Sequence, residues 1–300
     1  MRESGVWGRM QKHVDVDVKL REEVARSLHV RTITMGASPA ALEWYSRRLP
    51  EFARHDLPKY SDPSSAFAEF ASIPFADVPL ASPVPSGIMV NLAQRGFSEM
   101  KGITDVRLLQ TEVVRMGRTL GAEILASEEA VASSFDQLVA SEERIVTIGS
   151  SSLCERALIN SQARGKVPSV TVLLASARPE ALTIGNRLAK SNVDVSYGFL
   201  ADAMHHVASA DRVIIGAHLM THQGDVFSAQ GADLLTMAAR RLGKPVVVLA
   251  GPFKTVDRST TDFTDHLGMV DLDLDFSVDK YTVAMRDFSV VSRDLIDTIL

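Results

Sequence analysis

Residues 145–155 read Ile-Val-Thr-Ile-Gly-Ser-Ser-Ser-Leu-Cys-Glu, an apolar β-branched run that stops at a glycine and three serines and continues as a helical pattern. This order predicts a strand, a tight turn and the N-terminus of a helix. Backbone N–H groups at such a terminus can hold an anion or a phosphate. Serines 150–152 equally suit capping of the helix, because their oxygens accept from its unpaired N–H groups whether or not a ligand is bound.

Composition limits the class of protein. The 300 residues suffice for one large domain or two modest ones, and 46% apolar and 23% charged residues are ordinary for a soluble globular protein. A net charge of -5 offers no basic surface for a phosphate backbone, so direct nucleic-acid binding is not expected. No apolar run reaches the roughly 20 residues of a membrane span. The single cysteine, Cys154, permits no intramolecular disulfide. We expect a cytoplasmic protein with no membrane partner.

Residues 1–141 are predicted to form an all-helical N-terminal subdomain. Helical periodicity covers Val18–Val30, Ala40–Phe52, Ser86–Met100 and Asp105–Leu138. The proline-rich segment between Pro50 and Pro85 predicts an irregular stretch packed over these helices, because Phe67, Phe70 and Phe75 need burial.

Residues 142–300 are predicted to form a Rossmann-like α/β domain, an open, doubly wound parallel sheet. The predicted strands are Arg144–Ile148, Val170–Leu174, Val193–Phe199, Val213–Ile215 and Pro245–Leu249. The predicted helices are Leu153–Arg164, Ala181–Ser191, Ala203–Ser209 and Ala232–Leu242. Near-continuous Val, Ile and Leu runs suit strands that are buried on both faces, and the helices are short enough to be crossovers between parallel strands.

A rim of polar residues follows these strands. Ligands of open α/β sheets bind beyond the carboxyl ends of the strands, so this rim is the predicted site. The candidate ligand-binding residues are Ser150, Ser151, Ser152, Arg178, Asp202, His218 and Lys254. The guanidinium of Arg178 suits either an anion or the carboxylate of Asp202. His218 suits either a base or a hydrogen-bonded histidine that closes the end of a strand.

Patterns for metal ions are incomplete. His218 and His222 are four residues apart but follow a strand, with no evident third ligand for zinc. Residues Asp271–Asp275 begin like an EF-hand loop and lack its glycine and glutamate, which favours an edge strand or a loop. We expect no bound metal.

Patterns for cofactors and hydrolysis are equally incomplete. Neither G-x-G-x-x-G nor G-x-x-x-x-G-K-[ST] follows a predicted strand, so a dinucleotide fingerprint and a P-loop are unsupported and no cofactor is expected. A hydrolase triad could use Ser151, an aspartate such as Asp225 or Asp257, and His266. Leu153 replaces the second glycine of the nucleophile elbow, which disfavours that interpretation.

Five separated pieces carry a family resemblance. They are Thr147–Glu155, Ser176–Pro179, Val213–His218, Gly224–Ala232 and Val246–Lys254. In this order they resemble the regulatory subunits (alpha, beta and delta type) of eukaryotic translation initiation factor 2B. The same superfamily includes isomerases of methylthioribose 1-phosphate and ribose 1,5-bisphosphate. The resemblance covers the chain from about Ala140 onwards, and the N-terminal half suits the family only in kind.

The resemblance implies that the isomerase machinery has been lost. The isomerases use a cysteine and an aspartate at positions that correspond to Gly149 and His218, and a lysine at the position of Ala229. Without the thiol and the carboxylate, the acid–base pair of an aldose–ketose conversion is absent. The Gly-Ser-Ser-Ser-Leu and Gly-Ala-His pieces resemble the delta-type subunit, whereas Asp202 resembles the alpha type or the isomerases. Ala181 replaces a glycine that helps to hold phosphate in the family.

The resemblance therefore implies a non-catalytic regulatory or scaffold subunit of an initiation factor 2B-like guanine-nucleotide exchange complex, which regulates translation initiation. Its expected partners are other 2B-type subunits and initiation factor 2, with a homo- or heterodimer formed through the α/β domain. The alternative is a divergent sugar-phosphate isomerase, or a relative that binds a sugar phosphate or a nucleotide. In that case Arg178, Asp202 and His218 line the pocket and the amides of residues 150–152 hold the phosphate.

Overall fold

The N-terminal part of the chain is helical, as predicted. The computed structural model describes residues 23, 37–71, 86–100, 102–167, 169–175, 180–263, 269–271, 284–286 and 288–300. The helices of this part are α1 (Ala37–Glu43), α2 (Leu49–His55), α3 (Pro63–Ala71), α4 (Gly87–Met100) and α5 (Val106–Leu138), with a π-helical turn (Trp44–Arg48) between α1 and α2. The predicted helix at Val18–Val30 lies outside the described residues, apart from Glu23, which is helical.

Aromatic rings form the centre of the helical part. The Phe52 and Phe70 rings stack with their centroids 3.8 Å apart, and Trp44 stacks on Phe70 at 5.3 Å. Phe67 and Phe70 are buried as predicted, but α3 carries them, so the expectation of an irregular segment is wrong for Pro63–Ala71. Phe75 lies outside the described residues.

The 33-residue helix α5 joins the helical part to the sheet. The side chain of Asp105 caps it by accepting from Leu108 N–H at 2.8 Å. Helix α5 is about 50 Å long, which allows it to pack into two hydrophobic cores. Its first half buries Leu109 and Leu120 among the aromatic residues, and its second half buries Phe135 against the sheet.

Strands and helices alternate after Ala140. The strands are β1 (Arg144–Ile148), β2 (Ser169–Leu174), β3 (Asp194–Phe199), β4 (Arg212–Gly216), β5 (Leu219–Thr221), β6 (Val226–Ala229), β7 (Val246–Leu249), β8 (Thr255–Val256), β9 (Met269–Asp271), β10 (Ala284–Arg286), β11 (Phe288–Val291) and β12 (Thr298–Ile299). The helices are α6 (Ser152–Gln162), α7 (Glu180–Lys190), α8 (Ala203–Ser209) and α9 (Ala232–Arg241). All five predicted strands and all four predicted helices of this part are present, within two residues at each end.

The main sheet is parallel and doubly wound, which confirms the predicted fold class. Its six strands run in the order β12-β7-β4-β1-β2-β3. Helices α6 and α7 and the end of α5 cover one face, and α8 and α9 cover the other. The strand order reverses between β1 and β4, and ligands of such sheets bind at this switch point.

A second, four-stranded sheet lies beyond the carboxyl edge of the main one. Its order is β11-β6-β5-β8, with antiparallel pairs around β6. Strands β9 and β10 form a separate antiparallel pair, so Asp271 ends a strand, and 272–275 lie outside the described residues. None of the described helices combines the length and the apolarity of a membrane span.

Candidate functional site

The turn after β1 places Ser151 as the cap of α6. Gly149 has φ +74°, a conformation that favours glycine, and it turns the chain out of the strand. The side chain of Ser151 accepts from the N–H of Cys154 at 3.3 Å. Capping, the simpler of the two sequence interpretations, therefore accounts for Ser151.

Ser150 differs from its two neighbours. Its hydroxyl oxygen is buried, with no hydrogen-bond partner in the part of the chain that the structure describes. Ser152 is the first residue of α6 and is half-buried. A buried hydroxyl without a partner is disfavoured by about 1–3 kcal/mol, so Ser150 is the serine best suited to meet a ligand atom.

The crevice at the switch point is narrow because two glycines permit close approach. A Cβ atom added at Gly149 would lie 2.4 Å from the Cβ of Ala229, on β6. A Cβ added at Gly216, the last residue of β4, would lie 2.5 Å from Oγ of Ser151. Neither distance is compatible with van der Waals contact, so positions 149 and 216 accept no side chain without movement of their neighbours.

His218 is held in place on both sides. Its ring stacks on Phe288 with the centroids 4.1 Å apart, and the residue is only 8% exposed. Its backbone N–H donates to the carbonyl of Phe227 at 2.8 Å, and its carbonyl accepts from the N–H of Gly87 at 2.9 Å. His218 thus closes the end of β4 and joins it to β6, β11 and the start of α4.

Lys254 belongs to a buried polar cluster. It lies in the one-turn helix after β7 and is 6% exposed. Burial lowers the pKa of its ammonium group to about 8, although the negative charge of Glu128 opposes this shift. Burial also raises the pKa of the Cys154 thiol to about 12, so this cysteine stays protonated at neutral pH. Arg156 pairs with Glu128 at 3.3 Å.

Asp202 lies at the opposite side of the main sheet from the strand that leads to Lys254. Asp202 follows β3 at the edge of the sheet and is exposed. Three strand spacings separate β3 from β4, which puts the strand ends that precede Asp202 and His218 about 14 Å apart. Arg178 lies outside the described residues, as does His266 of the disfavoured hydrolase triad. His222 is exposed, and the described residues contain no group of three acidic, histidine or cysteine side chains that could hold a metal ion.

Comparison with known families assigns the chain. The profile of the initiation factor 2 subunit family (IF-2B) matches residues 79–297, which is more than half of the chain. The chain belongs to this family. The resemblance seen in the sequence begins at about Ala140. The profile match begins earlier in the chain and also includes α4 and α5.

Solved structures of initiation factor 2B-type proteins share the fold. The Pyrococcus horikoshii OT3 translation initiation factor eIF-2B is 20% identical over 94% of both chains, with a TM-score of 0.77. A chain of the tetrameric eIF2B-beta2-delta2 complex from C. thermophilum is 17% identical, covering 96% of this chain and 92% of that one, with a TM-score of 0.71. The eIF2B delta structure from Chaetomium thermophilum is 18% identical over 97% and 98%, with a TM-score of 0.66.

Glu128 belongs to the candidate site but was not predicted from the sequence. It occupies the apolar stripe of α5 between Ile124 and Val131, at i, i+4 and i+7, and it is 5% exposed. An acidic residue on the buried face of a helix indicates a charged partner, and this pattern could have revealed it. Asn91 was also missed. Its amide donates to the carbonyls of Phe253 and Thr255 at 2.9 and 2.6 Å and so holds α4 against the segment that carries Lys254.

We predict that Gly149→Ala destabilises the protein more than Gly165→Ala does. Both glycines have positive φ, +74° and +71°, but a Cβ at Gly165 meets no atom within 4 Å. The backbone strain of about 1–2 kcal/mol is common to both variants, and the contact with Ala229 adds about 1–3 kcal/mol at position 149 alone. Urea denaturation measures both free energies of unfolding. In the Gly149→Ala background, Ala229→Gly should recover part of the loss. Equal losses in the two single variants would contradict the close approach.

We predict that burial of Lys254 makes stability depend on pH. The pKa of Lys254 is about 8 in the folded state, below its ordinary value of 10.5. Between pH 8 and 10.5 the unfolded chain therefore binds more protons, and the free energy of unfolding rises with pH through this window. The contribution is about 3 kcal/mol. Cys154 has a raised pKa and acts in the opposite direction above pH 9.

Comparison of variants isolates this contribution. Relative to wild type, Lys254→Met should be most favourable below pH 8 and should lose that advantage as the pH approaches 10.5. The same substitution at Lys190, which is exposed, is the matched control. Denaturant unfolding at pH 7, 8, 9 and 10 measures both differences. A difference between wild type and Lys254→Met that stays constant over this range would show that Lys254 is not buried as a charged group.

Proposed function

We propose that this chain is a non-catalytic regulatory or scaffold subunit of an initiation factor 2B-like guanine-nucleotide exchange complex, which regulates translation initiation in the cytoplasm. The observation that carries the proposal is the contact between Gly149 and Ala229. These positions correspond to the cysteine and the lysine of the isomerases in the superfamily. With 2.4 Å available for a Cβ at position 149, the turn has no room for a thiol side chain.

His218 supports the same conclusion. It stands at the position of the isomerase aspartate, and its ring packs on Phe288 while its backbone joins three elements. A residue in this role stabilises the end of β4 irrespective of any substrate. An acid–base pair across the crevice needs two groups that can exchange protons with the same substrate, and neither a thiol nor a carboxylate is available at these two positions.

Partners of the proposed subunit are other 2B-type subunits and initiation factor 2. Exposed apolar side chains support an interface on the α/β half, proposed to comprise residues 142–300. Phe199 on β3 is 66% exposed, and Leu234 and Met237 on α9 are 55% exposed. Surfaces of this kind are commonly covered by a partner. A homo- or heterodimer through this half would leave residues 1–141 to contact initiation factor 2.

The experiment that tests the proposal is affinity purification of the tagged chain from its native cytosol, followed by mass measurement of the intact assembly. We expect a complex that contains further 2B-type subunits and initiation factor 2. The substitution Met237→Glu, placed on the exposed face of α9, should reduce the recovery of the 2B-type subunits, whereas Glu129→Lys on the exposed side of α5 is the control. A lone monomer or homodimer, free of these proteins, would argue against the proposal.

A sugar-phosphate-binding relative is the second candidate, and Ser150 favours it. The buried, unpaired hydroxyl of Ser150 lies beside the N-terminus of α6, where backbone N–H groups favour a phosphate. Under this alternative Ser150, Ser151 and Ser152 hold the phosphate, and Arg178, Asp202, His218 and Lys254 contribute to the pocket for a sugar phosphate or a nucleotide.

Thermal unfolding with ribose 1,5-bisphosphate separates the two candidates. If the second one holds, the compound raises Tm of wild type, and Ser150→Ala removes most of the shift. The matched control is Ser134→Ala on α5, where the exposed hydroxyl donates to Ala130 of its own helix. An unchanged Tm at millimolar ligand would remove the second candidate and leave the subunit role.

A further inference from the structure

A groove on the helical half of the molecule is lined by arginines. Its residues are distant in sequence from those of the switch-point crevice. It lies between the end of α2 and the first half of α5 and has a volume of about 690 Å³. The residues that line this arginine groove are Arg54, Gln110, Thr111, Val114, Arg115, Arg118 and Thr119. Its size lies within the range of small-molecule sites, about 300–1,000 Å³.

The spacing of residues on α5 builds the groove. Gln110, Val114 and Arg118 form one row at i, i+4 and i+8, and the residues that follow each of them form a second row beside it. The amide of Gln110 donates to the carbonyl of Ala53 at 2.8 Å, near the end of α2. This hydrogen bond fixes the end of α2 against α5, so that Arg54 of α2 and Arg118 of α5 line the same groove.

Acidic residues of the protein neutralise only part of the positive charge of the groove. No acidic side chain lines it. Arg115 pairs with Glu112 at 2.7 Å and lies 3.4 Å from Glu99. Across the described part of the chain, neither Arg54 nor Arg118 takes part in an ion pair.

The two threonine hydroxyl groups in the groove have no proton left to donate to a ligand. Thr111 and Thr119 each donate their hydroxyl proton to a carbonyl of their own helix, at 2.8 and 3.1 Å. Their oxygens can therefore only accept from a ligand. Hydrogen bonds to an anion must come from the planar guanidinium groups, which match phosphate oxygens in pairs. The unpaired guanidinium groups of Arg54 and Arg118 are thus the donors that the groove offers to an anion.

We propose that the arginine groove binds a small, multiply charged phosphate compound, with Arg54 and Arg118 as its two anchors. Two guanidinium groups from different helices, α2 and α5, match a ligand with more than one phosphate group better than a single anion. A nucleic acid is disfavoured, because the chain has a net charge of -5 and the groove offers three arginines in place of an extended basic surface. The site is independent of the switch-point crevice and of the role in a 2B-type complex.

The test is isothermal titration of the full chain with pyrophosphate at 150 mM salt, because screening at this concentration suppresses diffuse attraction. We expect saturable binding in wild type. Arg54→Gln and Arg118→Gln should each weaken it about tenfold, as loss of a hydrogen bond to a charged group does. Arg107→Gln is the matched control, since Arg107 is exposed on α5 outside the groove and carries the same charge. It should leave the affinity within twofold.

Three results would overturn the proposal. Absence of saturable pyrophosphate binding excludes the ligand class. Equal weakening in Arg107→Gln and Arg118→Gln shows nonspecific attraction to the surface. Binding of a phosphoserine peptide that Arg54→Gln and Arg118→Gln each weaken, and with which pyrophosphate does not compete, assigns the groove to a protein partner. Circular dichroism of each variant verifies that it is folded, and none of these outcomes depends on the composition of the assembly.

Discussion

Gly149 has no side chain, and the architecture of the carboxyl edge depends on that fact. Its positive φ turns the chain directly from β1 into α6, and its bare Cα allows Ala229 of the second sheet to approach. The second sheet is then fastened by hydrogen bonds, since the hydroxyl of Ser228 donates to the carbonyl of Gly216 at 2.7 Å. Gly149 is therefore a packing contact between the two sheets.

The same edge is connected to the helical half of the molecule. The start of α4 donates to the carbonyl of His218, the amide of Asn91 holds the segment around Lys254, and Glu128 of α5 meets the same buried cluster. Each of these contacts joins residues that are far apart in sequence. Hydrogen bonds thus connect the carboxyl edge to α4, and the charge of Glu128 connects it to α5.

Much of the fold could be predicted from the sequence, because the parallel strands are continuous Val, Ile and Leu runs and the crossover helices have clear periodicity. The family resemblance was likewise visible in the order and spacing of five separated pieces, and the profile match confirms it. The second sheet was missed. Its strands have only two to four residues and derive their stability from pairing between distant segments, as β6 does with β11. The local sequence pattern of a short strand does not indicate which distant segment it pairs with.

The site was predicted in outline only. The predicted strand ends identified the rim. Which rim residues lie close together depends on the order of the strands in the sheet. The distance between Asp202 and His218 could therefore be derived only from the sheet topology. Sequence placed Gly149 and Ala229 in different motifs, whereas their contact is tertiary. The most direct test of the proposed non-catalytic role is ¹³C NMR of ribose 1,5-bisphosphate and methylthioribose 1-phosphate incubated with purified protein. We expect both aldoses to persist unchanged. Formation of the ketose by wild type, and its loss in His218→Ala, would show that the crevice is catalytic.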